Sequence, residues 1–111
     1  MDSLDPWRDA IERILTEHAA LPSSYGVVRS ALICDRKRDS YVLMDVGWKG
    51  YERIHEPLIH ADIIDGKIWI QYDGTEEGIA PELVAAGVPR DRIVLAFKPE
   101  DIRKHTGFAA A

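Results

Sequence analysis

Leu58-Ile59-His60-Ala61-Asp62-Ile63-Ile64-Asp65-Gly66-Lys67-Ile68-Trp69-Ile70-Gln71-Tyr72-Asp73 is the stretch on which the fold turns. Asp65-Gly66 is a two-residue hairpin turn, since both residue types accept positive φ. That turn sets Ile64 against Lys67, Asp62 against Trp69 and His60 against Gln71, and directly opposed residues share a sheet face. The two sides then separate. Ile59, Ala61, Ile63, Ile68, Ile70 and Tyr72 form an apolar core face. Leu58, His60, Asp62, Ile64, Lys67, Trp69, Gln71 and Asp73 form the other, which is polar with a large aromatic at its centre.

Upstream, Val27–Cys34 and Ser40–Trp48 read as two further strands around a charged tip, Asp35-Arg36-Lys37-Arg38-Asp39. With Cys34 opposite Ser40, Val28, Ser30 and Leu32 share a core face with Val46, Met44 and Val42. Cys34 is then a small buried, unpaired side chain, and Arg29 pairs with Asp45 on the other face. Trp48-Lys49-Gly50-Tyr51 turns the chain into a third strand, in which Pro57 demands an edge or a bulge. The chain opens on a helix: Asp5 is a candidate N-cap, Pro6 suits the first turn, and Trp7, Ile11, Ile14, Leu15 and Ala19 make one apolar stripe. Pro22 stops it near Leu21, and the period changes from Tyr25 onward.

Downstream, Asp73–Gly78 is an acidic turn. A helix follows from Ile79 to Ala86, with Pro81 in its first turn and Gly87 as its left-handed stop. Ile93–Phe97 is a short strand, and Pro99–Lys104 has room for one helical turn. The sum is one α+β domain over 1–111. It has an N-terminal helix, a four-stranded antiparallel meander, a second helix and a short C-terminal strand, with the helices on one sheet face. The other face stays open until a partner covers it.

Composition narrows the function classes. The 111 residues are 46% hydrophobic and 30% charged, which fits one globular domain with its own core. Fourteen basic against nineteen acidic residues give −5, against a general nucleic-acid or membrane-surface coat. One cysteine allows no internal disulfide and no thiolate cluster, so the reading is a reducing cytoplasm. No apolar run reaches membrane-span length, and the acidic start, Met1-Asp2-Ser3-Leu4-Asp5, is not a secretory signal.

Three constellations carry candidate chemistry. His60 and Asp62, at i and i+2 on a strand, point the same way and could orient a base or, with Asp73, Glu76 or His55, begin a metal site. No recognised metal spacing completes the set, so a hydrogen-bonded interface histidine is favoured and no metal or cofactor is expected. Trp69 with Gln71 could stack on a flat ligand. Asp62 and Asp73 would repel phosphate, which favours a protein contact through His60, Asp62, Trp69, Gln71 and Asp73. Arg36, Lys37 and Arg38 could touch a DNA backbone, but Asp35 and Asp39 flank them and a solvated tip is favoured. Asp73–Gly78 has neither the Gly-Lys-Ser/Thr of a phosphate loop nor the ligand spacing of a calcium loop. No nucleophile signature is present.

The order Leu58–Ile63, Gly66–Gln71, Asp73-Gly74-Thr75-Glu76-Glu77-Gly78-Ile79-Ala80, Gly87-Val88-Pro89 and Asp91–Phe97 resembles the XisI family, over essentially the whole chain. Val46-Gly47-Trp48 and Phe108-Ala109 fit as well, and Gly50–Glu56 and the tail after Lys98 fit less closely. The resemblance implies a small cyanobacterial factor that controls excision of the fdxN element, with the recombinase XisF doing the cutting and rejoining. It implies accessory status, a XisH-like partner with a nuclease-type fold, and contact with a recombinase complex. It carries no catalytic residues. The expectation is a non-catalytic, protein-binding regulator. The alternatives are a DNA-binding directionality factor working through Arg36–Arg38, and a metal-dependent hydrolase using His60 and Asp62. Trp69, Leu58 and Ile64 on a wet sheet face further suggest a homodimer or higher homo-oligomer closed across that face.

Overall fold

The computed structural model describes residues 4–21 and 27–111. The expected helix stop at Pro22, the change of period at Tyr25 and the first three residues lie outside them. Helix α1 (Asp5–Ala19) carries Pro6 in its first turn, where a missing N–H costs nothing. Leu4 holds the N-cap position and no side chain caps the end, which corrects the expectation for Asp5. Asp5 lies inside the first turn and accepts from Arg8 Nη1 at 2.9 Å instead. Ile11, Ile14 and Leu15 on the apolar stripe are fully buried. No described helix is long and apolar enough to cross a membrane.

Five strands form one sheet in the order β1 (Val27–Asp35), β2 (Ser40–Lys49), β3 (Glu52–Ile64), β4 (Lys67–Asp73), β5 (Ile93–Leu95). The first four are an antiparallel meander, as expected. The last joins β4 in parallel, so the sheet is mixed. A parallel neighbour needs a crossover, and the stretch holding α2 (Ala80–Ala85) and a 3-10 turn at Arg90–Arg92 supplies it. A final helical turn, α3 (Glu100–Arg103), falls where the sequence allowed one. The outer edge of β5 is met by the tail: Ala109 N donates to Ile93 O at 2.9 Å.

Between Ala61 and Ile70 the β3–β4 register follows the Asp65-Gly66 turn, with Ile64 on Lys67 and Asp62 on Trp69. Both turn residues take positive φ, at 50° and 73°. Ile59, Ala61, Ile68 and Ile70 are fully buried beneath α1 and α2. Past His60 the register shifts, and His60 faces Tyr72 rather than Gln71. The extra residue sends Tyr72 to the uncovered side, 48% exposed, and Asp73 to the covered one, opposite Ile59. A second irregularity falls between Leu43 and Met44, where Leu58 is the unmatched residue. Leu58 consequently packs against the buried cluster, not on the open face. Pro57 adjoins this bulge on the part of β3 beyond the end of β4, which is where a strand tolerates it.

The β1–β2 pairing departs from expectation by one residue. Asp35, not Cys34, faces Ser40, because the loop holds four residues rather than five. Asp39 closes it at φ 53°, and Asp35 Oδ1 accepts the Lys37 and Arg38 amides at 3.1 Å each. A slip of one exchanges the two faces. Tyr41 and Leu43 are therefore the buried residues of β2, and Val42, Met44 and Val46 turn outward. Cys34 is exposed, and Arg29 sits opposite Val46 while Ser30 faces Asp45.

Candidate functional site

Strand alternation assigns the uncovered face directly. Val27, Arg29, Ala31 and Ile33 of β1 lie on it beside Val42, Met44, Val46 and Trp48 of β2, and then His60 and Asp62 of β3. Helices α1 and α2 pack against the opposite face. Val27 is 83% exposed, Ile33 55% and Trp48 50%, so this side is apolar and open among the described residues. Apolar side chains gathered on one exposed face mark an interaction surface more often than chance placement does. Arg53 lies over the Trp48 ring, 5.2 Å from its centroid, and gives the apolar area a cationic rim.

A polar cluster adjoins it. Asp62 accepts from Gln71 Nε2 at 3.2 Å and contacts His60 Nε2 at 3.0 Å, while Ser40 Oγ lies 3.4 Å from the same ring nitrogen. The sequence thus placed His60, Asp62 and Gln71 together correctly. A serine–histidine–carboxylate relay needs the two ring nitrogens for two different partners. Here the hydroxyl and the carboxylate meet at one nitrogen, so the arrangement is a hydrogen-bonded surface cluster.

Asp73 is not part of it. Its carboxylate accepts from Thr75 N at 3.0 Å, Thr75 Oγ1 at 2.6 Å and Ile79 N at 2.7 Å, fastening the turn that leads into α2. The trio His60, Asp62 and Asp73 is split between two sheet faces, and the described residues hold no cluster of three or more metal-ligating side chains. Trp69 shares the face of Asp62 as expected, but it is half-buried. Arg103 of α3 stands 5.8 Å from its ring centroid, tied back to Lys98 O at 2.9 Å and Ala96 O at 3.2 Å. The helices do not all share one sheet face, contrary to expectation: α1 and α2 do, and α3 reaches round to Trp69.

The basic tip is drawn inward. Arg36 Nη2 contacts Asp9 at 2.5 Å and Glu12 at 2.8 Å on α1, and Arg36 Nε reaches Glu12 at 3.1 Å. These acceptors raise the Arg36 pKa further. Arg38 Nη1 contacts Asp35 at 3.0 Å. The Arg38 amide, its guanidinium and the Lys37 amide hold the Asp35 carboxyl below the usual aspartate range. Lys37 is exposed at the tip. Beneath the tip, Arg8 grips both oxygens of Asp39, at 2.6 and 2.9 Å, and Tyr41 Oη donates to Asp39 at 3.1 Å. Burial, then the Asp39 carboxylate, raises the Tyr41 pKa. On the helix side a groove of about 1090 Å³ is lined by Asp45, Leu58, Glu77 and Glu82, with His18 bound to Glu82 at 2.8 Å.

The outward set Ile33, Val42, Met44, Val46 and Trp48 escaped the sequence reading. Both faces of these strands are apolar, so only the loop length, and the Asp35 side chain that closes it, could have assigned them.

Comparison with known proteins agrees with this architecture. The model of the family described as XisI protein matches residues 1–110. A crystal structure of a XisI-like protein from Anabaena variabilis superposes with a TM-score of 0.89 at 39% identity, covering 98% of this chain and 100% of that one. The fdxN element excision controlling factor XisI of the same organism superposes at 0.86 with 35% identity, covering 99% and 100%. No curated protein matches. The match along nearly the whole chain, with the fold it brings, assigns this chain to the XisI family.

Proposed function

We propose that this chain is an accessory control factor for excision of a DNA element, acting without chemistry of its own by binding other proteins. A XisH-like protein, and through it a recombinase complex, is the partner. Family membership and the name of the Anabaena excision controlling factor support the field of action. The open apolar face around Val42, Met44 and Trp48 is the single observation that carries the mode of action. The net charge of −5 suits a partner with a basic, DNA-contacting face, since complementary charge speeds encounter and fixes orientation.

Direct DNA binding through the tip is the weaker reading, because Arg36 and Arg38 already contact Asp9, Glu12 and Asp35. Hydrolysis at His60 and Asp62 lacks a converging third ligand among the described residues. Co-expression with the neighbouring XisH-like protein tests the proposal. Co-elution at micromolar concentration is the expected result. Separate elution, together with a salt-sensitive gel shift specific for excision-site DNA, would move the assignment to direct DNA binding.

A further inference from the structure

The two edges of the sheet are treated differently. The β5 edge is met by the tail at Ala109. The β1 edge, nine residues of Val27-Val28-Arg29-Ser30-Ala31-Leu32-Ile33-Cys34-Asp35, has no strand against it among the described residues. Proteins that remain single blunt such edges with proline, lysine, a bulge or a short strand. β1 has none of these: its register with β2 runs unbroken from Val27 to Asp35. Its row of main-chain donors and acceptors is a template for another strand.

We propose that β1 pairs antiparallel with β1 of a second copy of this chain, about a two-fold axis at Leu32, so that two five-stranded sheets continue into one. Charge selects this occupant and this register. Arg29 has no ion-pair partner among the described residues and stands opposite apolar Val46 across β2. Setting Leu32 against its own copy brings Arg29 opposite Asp35 of the second chain, twice by symmetry. Both side chains lie on the open face, where opposite charges directly across a ladder stabilise the pairing. Asp35 still has acceptor capacity, because a carboxylate offers about four lone-pair sites and its present contacts are the two tip amides and Arg38. The same register lays Ile33, 55% exposed, beside Ala31 of the other copy, and brings together two Leu32 side chains, each 38% exposed. An isologous two-fold satisfies all these contacts at once. The inference goes beyond excision control and does not depend on it.

Sedimentation equilibrium of the full chain tests it. The expected species at about 50 µM is a dimer of about 25 kDa, twice the 12.5 kDa chain. Arg29→Glu and Asp35→Lys each turn two attractive contacts repulsive and should each weaken association about tenfold or more, with melting curves checking that the variants stay folded. Mixed one to one, the two variants should recover a dimer, since each supplies the charge the other lacks. Asp35→Lys also alters the tip, so a second variant guards the test. Leu32→Cys in a Cys34→Ser background should cross-link to a dimer under mild oxidation, because residues paired across antiparallel strands stand within disulfide reach. A monomer at about 100 µM overturns the proposal. So does a dimer that Arg29→Glu leaves unchanged and Leu32→Cys fails to cross-link, which would move the contact to the sheet face.

Discussion

Single residues carry more of this fold than their size suggests. A Cβ built on Gly47 would lie 2.0 Å from Val27 O and 2.7 Å from Val28 Cα, both backbone atoms that cannot swing aside. Gly47→Ala should therefore destabilise by about 2 kcal/mol or more, read as a lower urea midpoint at unchanged slope. Cys34 shares the helix-covered face with its partner Tyr41, yet it is exposed, because β1 is the edge strand and Cys34 lies next to the hairpin tip. An exposed thiol should react with a bulky reagent without unfolding. Desolvation, then Glu12, raises its pKa, so less thiolate is present near neutrality than in a free cysteine. Labelling of the native protein should be complete, slower than for a free thiol near pH 7, and faster as pH rises. Protection until denaturant is added would return Cys34 to the core. Trp69 shows the opposite correction. Its indole N–H is buried with no hydrogen-bond partner among the described residues while Arg103 covers the ring, so it serves the packing of the C-terminal segment more than an exposed contact.

Among the elements, hairpins whose turns announce their length could be read and the others could not. Asp65-Gly66 fixes a two-residue loop, and the register holds from Ile64 to Ala61. It fails at Gln71 because a bulge costs only one residue and leaves no mark in an alternating pattern. The β1–β2 hairpin failed for a different reason. Leu32, Ile33, Val42 and Leu43 are apolar on both faces, so periodicity cannot choose between a four- and a five-residue loop. The candidate site was accordingly half visible: His60, Asp62 and Gln71 were found, and the apolar area beside them was assigned to the core. Asp73 shows what such a misplacement hides. As the acceptor for Thr75 and Ile79 it holds the turn ahead of α2, and Asp73→Ala should cost about 1 kcal/mol of global stability, while His60→Ala changes little. Thermal melts of the two variants make the comparison. The tip should be acid-labile. Asp35 has a folded pKa below its unfolded one, so its contribution is fully present above about pH 4 and is lost as pH falls through the lower folded value. The protection of the Lys37 and Arg38 amides from hydrogen exchange, taken relative to the intrinsic rate at each pH, should be lost through that acid window and not near neutrality.

At the scale of the whole molecule, the chain puts its two longer helices on one sheet face and, among the described residues, leaves the other apolar and uncovered across β1 and β2. Such a layout is costly for a protein that works alone and sensible for one that works by contact. The polar cluster of His60, Asp62 and Gln71 borders this area, and Trp48 stands half exposed under Arg53, the side chain that the proposed function makes the anchor. Binding of the XisH-like protein, measured by titration calorimetry with the wild-type chain and with Trp48→Ala, tests the central claim most directly. The account predicts a specific complex of micromolar or better affinity, weakened about tenfold or more by Trp48→Ala while the melting temperature is nearly unchanged. No heat of binding at tens of micromolar, or an affinity that Trp48→Ala leaves untouched, would contradict it.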